Sequence, residues 1–275
     1  MMAFEQLEFV EAIEELAKIH HVEVPREAGH KAKTYVQGSA DDYSQMQKAA
    51  QIYQQQLSQH SHAAAYVAKR GLSASTIEKY GIGYAPDSWD LLLKQLGANK
   101  ASRDQLFELK LTNRNENGRE YDFFRERLMF PIRDKRGRVI AFGGRVLGDG
   151  TPKYLNSPET EVFEKGKHLF GLDKAADPIR RADCAIVVEG YFDVIALHAA
   201  GVRHSVAALG TALGSQQITQ LCRCCDSRRI VLNFDADGAA QVRPQADLFL
   251  AAQDGVLETV DGEVHGVLLK RLGWG

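Results

Sequence analysis

The stretch VVEGYFDVIALHAAGV, residues 187–202, decides the fold. It reads as an apolar strand that runs into Glu189 and Gly190, followed at once by a short helix that ends at Gly201. The same alternation continues on both sides: CAIVVE as a strand, FDVIALHAAG as a helix, VRHSVAALG as a strand, SQQITQLCRCCD as a helix and RRIVLNFD as a strand. Strands alternating with helices imply βαβ units and a parallel sheet with right-handed crossovers. In such sheets, sites form at the carboxyl ends of the strands. Glu189 and Asp235 each close a strand in this reading, and Asp193 and Asp237 follow just behind them.

If the two strands are neighbours, the four carboxylates converge. Carboxylates crowded at one point repel and raise one another's pKa unless a cation neutralises them. Hard oxygen ligands with no Cys or His beside them suit Mg²⁺. Alternate residues on an extended chain point the same way, so Asp235 and Asp237 could reach one ion. Each fragment also has a plainer reading. Glu189 could cap the next helix, Asp193 sits in a first helical turn where negative charge is favourable, and D-x-D-G is a frequent loop composition. Both fragments at strand ends of one βαβαβ pattern, 46 positions apart, favour a shared site.

Upstream the texture is different. Residues 4–20 carry apolar side chains at helical spacing, from Phe4 to Ile19, and predict an amphipathic helix. VPREAGHKAKTYVQGSADD, 24–42, mixes Pro, Gly and charge and reads as a linker. Residues 43–69 predict helix, ended by Gly71, with a new helix over 73–80 started by Ser73. DSWDLLLKQLG and SRDQLFELKL predict two short helices, the first with Asp or Ser at a cap position. RLMFPIRDKRGRVIAFGGRVL alternates around the charged turn Asp134–Gly137 and predicts a β-hairpin or meander. TPKYLNSPETEVFEKGKHLFGL reads as an irregular, partly basic loop.

The chain has 275 residues, 44% hydrophobic and 25% charged, with net charge −2, which is ordinary for a globular protein. Residues 125–138 alone hold six basic and two acidic side chains, a weak pointer to a polyanion partner on one face. No apolar run is long enough to cross a bilayer, and the acidic N-terminus lacks the pattern of a signal peptide, so the expected compartment is the cytoplasm, with no membrane partner. The cysteines, Cys184, Cys222, Cys224 and Cys225, lack the paired spacing of a zinc ribbon, and reduced thiols on a helix are the expected state.

VVEGYFDV followed by FDADGA resembles the Toprim domain, a metal-binding α/β module of bacterial-type primases, topoisomerases and some nucleases. YVAKRGLS, YGIGYAP, FRERLMFPIRDKRGRVIAFGGRVL and PKYLNSPETEVFEKGKHLFGL resemble the catalytic core of bacterial DNA primases, over roughly residues 4–240. The resemblance implies an α/β fold: a helix over 1–25 like the segment that follows the primase zinc module, an α+β basic subdomain over 26–172, a Toprim parallel-sheet subdomain over 173–240, and an atypical tail over 241–275. It also implies Mg²⁺-dependent (Mn²⁺ possible) synthesis of RNA primers on single-stranded DNA from NTPs. Glu189, Asp235 and Asp237 would be catalytic and, with Asp193, would hold metal; Arg70, Arg145, Lys153, Tyr154, Asn156 and Lys165 match positions that bind nucleic acid and NTP. A guanidinium grips phosphate bidentately, an ammonium acts as a point charge, and a Tyr ring stacks on a base. Arg125 and Arg127 could instead pair with neighbouring acids.

Three departures limit what the resemblance implies. The sequence opens in what resembles the helix after the zinc module, so neither that module nor a structural zinc is expected. The helical domain that docks on the replicative helicase in the family is not expected here, and a monomer is expected. DADGAAQVRPQADLFL departs from the family's D-x-D-x-A-G, no D-P-D-like motif follows, and loss of a sheet strand there would leave an exposed edge. The alternatives are a primase remnant that binds single strands without polymerising, and a Toprim nuclease or topoisomerase, which no Tyr context supports.

Overall fold

The computed structural model describes residues 38–210 and 213–233 in full, and the backbone of 257–259. The helix expected over 4–20, the Asp235 and Asp237 pair, and most of the 241–275 tail lie outside the described residues.

Helix α1, Ala40–Gln59, starts three residues inside the expected linker. Ser39 and Asp42 form a capping box, with the Asp42 N–H donating to Ser39 Oγ at 3.2 Å and the Ser39 N–H to Asp42 Oδ2 at 2.8 Å. The backbone turns extended at His60 before α2, Ser61–Lys69, so the expected single helix is two. Gly71 takes the left-handed conformation (φ 70°), and Ser73 caps α3, Ala74–Tyr80, as its sequence predicts. Strand β1, Gly83–Ala85, follows, then α4, Leu91–Leu96, and α5, Lys100–Glu108, which is capped by Asn99. Asp90 stands at the α4 N-cap, but its side chain makes no cap bond. Asp122, thirty residues past Leu92 in the hairpin of β2, Thr112–Arg114, and β3, Glu120–Asp122, accepts from the Leu92 and Leu93 N–H groups at 2.8 and 3.3 Å instead.

The predicted hairpin is β4, Arg127–Arg133, paired antiparallel with β5, Val139–Val146. Tyr154–Asn156, expected as loop, is strand β6; β1 and β6 flank the hairpin to give the order β1–β4–β5–β6. Helix α6, Leu172–Ala182, which the alternation does not announce, leads into the second sheet. There, β7, Ala185–Val188, lies between β8, Ser205–Ala207, and β9, Ile230–Leu232, all parallel, with α7, Tyr191–Ala199, and α8, Ser215–Cys222, as crossovers. The α/β reading therefore holds. The backbone of β10, Leu257–Thr259, pairs parallel with β9, so the tail that was expected to cost the sheet a strand supplies one.

A large apolar core joins the antiparallel sheet to α1, α4, α5 and α7; a smaller one lies beneath the parallel sheet, around Leu172, Ile179, Val187, Ile218 and Leu221. No helix among the described residues is long and apolar enough to cross a membrane.

Candidate active site

Strand β7 ends at Val188 because Gly190 turns the chain and α7 begins at Tyr191. Glu189 is therefore set at the carboxyl edge of the parallel sheet, and it is exposed. Asp193 accepts from the Gly190 N–H at 3.0 Å, so it closes the loop that carries Glu189 as well as capping α7. Neighbouring β9 runs parallel to β7 with Val187 opposite Leu232, the adjacency the convergence argument requires. Glu189 and Asp193 are carboxylates, the right kind of donor for a hard divalent cation. Among the described residues, however, no three metal-binding side chains come together, so the donor set fits Mg²⁺ in kind but is not complete without residues beyond Asn233.

The facing wall comes from the antiparallel sheet. Arg145 on β5 is 9% exposed, and its buried Nε has no hydrogen-bond partner among the described residues. Its guanidinium lies 5.1 Å from the Tyr66 ring centroid, 5.6 Å from Phe192 and 5.7 Å from Tyr154. Arg70, just past α2, shares two of these rings, at 5.5 Å from Tyr66 and 5.3 Å from Phe192, and its Nε donates to the Tyr66 hydroxyl at 3.2 Å. Tyr154 is 41% exposed. Burial raises its phenol above the ordinary value, the Arg145 charge opposes this, and Asp193 and Arg70 are close enough to act on it. The structure thus gathers Arg70, Arg145 and Tyr154 around Phe192, three residues past Glu189.

Asn156 is engaged in a different way. Its Oδ1 accepts from the Tyr191 hydroxyl at 2.6 Å, and its Nδ2 donates to the Leu209 carbonyl at 2.9 Å. Lys153 is exposed at the start of β6. Lys165 sits in a 3-10 turn, and its carbonyl and that of His168 just beyond the turn accept from Gln217 on α8. Arg127 donates to the Pro152 carbonyl at 2.9 Å, and Arg125 lies 3.2 Å from the centroid of Trp89, which is 54% exposed; neither relies on the ion pair considered for it. A cleft of 910 Å³ between α4, α5 and the β2–β3 hairpin is lined by none of these site residues.

Sequence reasoning missed Tyr66, Phe192 and Tyr191. Tyr66 was within reach, because it precedes Arg70 by one helical turn. Phe192 and Tyr191 looked like ordinary first-turn residues.

The parallel sheet with an acidic strand end belongs to a known class: residues 183–242 match the Toprim domain family. Residues 52–176 match the family described as the DNA primase catalytic core, N-terminal domain. The chain is 46% identical to a DNA primase of Pasteurella multocida, over 88% of this chain and 42% of that protein. It is 41% identical to the DnaG primase catalytic domain bound to ssDNA, with TM-score 0.73 over 84% of this chain and 76% of that one. The Escherichia coli primase catalytic core gives 41% identity and TM-score 0.72 over 83% and 75%. The chain belongs to the bacterial DNA primase family and covers its catalytic core region. It spans about two-fifths of the length of the curated relatives it matches.

Proposed function

We propose that this chain carries out the nucleotidyl transfer of primer synthesis on single-stranded DNA. A 3′-hydroxyl attacks the α-phosphate of a nucleoside triphosphate, a new phosphodiester forms, and pyrophosphate leaves. The observation that carries the reading is Arg145: a buried guanidinium, bonded to the Tyr154 hydroxyl and framed by three aromatic rings, whose Nε has no hydrogen-bond partner among the described residues. A buried charge with no acidic partner among the described residues is costly unless a ligand meets it, and phosphate is the natural ligand of a guanidinium fork.

Glu189, Asp235 and Asp237 would hold Mg²⁺ or Mn²⁺. When bound, the ion neutralises phosphate charge and lowers the pKa of the attacking hydroxyl. Arg145 and Arg70 bind phosphate oxygens from the opposite wall. Lys153 and Lys165 add point charges to the template or NTP. Tyr154 offers an exposed face for a base, and the Trp89–Arg125 pair offers another surface for a single strand. Asp193 holds the Glu189 loop in place.

The test is primer synthesis from four NTPs on a single-stranded template with Mg²⁺. Wild-type protein should make product, and Glu189→Gln should lower it by of order 10²–10³-fold while leaving template binding intact. Template binding should fall steeply with salt, and Arg145→Ala should weaken it. Template binding by the wild type without any product would leave a binding protein and remove the catalytic reading.

A further inference from the structure

We infer that Tyr191 and Asn156 form a positioning lock that sets the acidic edge of the parallel sheet against the antiparallel sheet; in this role Asn156 acts through Tyr191 rather than as a direct nucleotide ligand. The inference rests on the nucleotidyl-transfer reading of the site.

Tyr191 is the second residue after Glu189 and is 5% exposed. Its ring leaves the parallel-sheet half and enters the antiparallel half. There it stacks on Phe130 of β4 (centroids 5.1 Å apart, 18° between planes), while Phe170, bridged to Ala207 of β8, meets it edge-on at 4.7 Å. The seat exists because β5 has Gly143 below it. A Cβ at that position would fall 2.4 Å from the Tyr191 hydroxyl oxygen and 2.5 Å from ring carbons. The ring is thus held on several sides, and its hydroxyl has one described partner, Asn156 Oδ1.

Asn156 lies on β6, the strand that begins with Tyr154. Its amide uses both ends, accepting from Tyr191 and donating to Leu209 O just past β8. One side chain therefore links three chain segments: the strand that presents Tyr154, the turn that follows Glu189, and the carboxyl end of the strand beside β7. A polar contact of this kind contributes little net stability in general. Its consequence is geometric, since a misplacement of about 1 Å at a reacting centre is enough to cost of order 10²-fold in rate.

The test uses Tyr191→Phe, which keeps the ring contacts and removes the hydroxyl, together with Asn156→Ala and the double variant. Each single variant should lower the turnover of primer synthesis about tenfold and leave the NTP KM within about twofold, and the double variant should be no worse than either single. Hydrogen exchange on the same proteins should quicken at residues 189–193 and 207–210 while the β4–β5 amides stay protected, with a fall in stability no larger than the loss of one buried hydrogen bond brings. Asn156→Asp keeps the acceptor for Tyr191 and loses the donor to Leu209, so it should quicken exchange at 207–210 alone. A raised NTP KM with unchanged turnover in Asn156→Ala, multiplicative losses in the double variant, or unchanged exchange would each overturn the lock. If wild-type protein makes no primer, the activity reading fails, and the exchange pattern by itself still decides whether the lock exists.

Discussion

In the antiparallel sheet, β4 and β5 are seven and eight residues long, and all but one of those fifteen residues are buried. In the parallel sheet, β7, β8 and β9 run four, three and three residues. The first sheet is held by its own length and by helices packed on it. The second has few ladder bonds of its own, and its acidic edge borrows support from the first through Tyr191, seated on Phe130 and Phe170. A Toprim carboxylate in this protein is therefore positioned in part by Phe130, 59 positions upstream of it and in a different sheet.

The sharpest way to break that asymmetry is Phe130→Ala. This side chain is fully buried on β4 and meets Phe170, Tyr191 and Phe192, so both halves lose contacts. We expect a loss of about 3–5 kcal/mol in a denaturant titration, with both sheets melting together. Leu221→Ala, in the smaller core, should cost about 2–4 kcal/mol. Exchange should then rise mainly in β7–β9 while the β4–β5 amides stay protected; equal exposure of both sheets would show that the parallel half is not the weaker one.

Gly143→Ala tests the contact between the halves. The added methyl collides with the Tyr191 ring, and we expect a loss of about 1–3 kcal/mol, read as a lower Tm. Tyr191→Ala in the same chain should relieve part of it.

The smallest effect is on pH. His198 on α7 is buried; its Nε2–H donates to Ser205 O at 2.8 Å, so in the neutral ring its Nδ1 accepts from the Tyr80 hydroxyl at 2.5 Å. Burial pulls its pKa down to about 4, and His168 shifts the same way to about 4. An unfolded histidine takes up its proton near the ordinary value of about 6.5, so these residues stabilise the fold above that pH, and the contribution is lost as pH falls toward about 4. Asp122 acts in the opposite direction. Burial raises its pKa to about 6, against the Leu92 and Leu93 N–H groups, so its contribution is full below about 4 and is lost as pH rises through about 6. His198→Gln should flatten the fall in Tm between about pH 6.5 and about 4.5, and Asp122→Asn should steepen it. Tm curves that keep the wild-type slope in both variants would remove these assignments.

Much of this was legible in local sequence. The alternation over 183–235 carried the parallel sheet. Gly71 and Ser73 carried a helix stop and a helix start, and the Asp134–Gly137 turn carried the hairpin. The Ser39–Asp42 box was also legible, though a Pro- and Gly-containing stretch around it read as linker. These signals are local because they depend on the period of a strand or helix and on caps a few residues away. The three-residue strands β1 and β6 were not legible, since three residues contain no period and become strands only when β4 and β5 are there to pair with them.

The sequence by itself determined the strand–helix alternation of the parallel sheet, the β4–β5 hairpin, the place of Glu189 at a strand end, and the residue types a phosphate-handling site needs. Only the tertiary structure decided that Asp122 rather than Asp90 bonds to the start of α4, that Arg145 is buried among three rings taken from α2, β6 and α7, and that Asn156 spends its amide on Tyr191 and Leu209. Apart from the Arg145–Tyr154 contact between neighbouring strands, those outcomes join residues 30 to 79 positions apart. Burial and hydrogen-bond partners at that separation are set by which surfaces meet, and no local period or spacing encodes them.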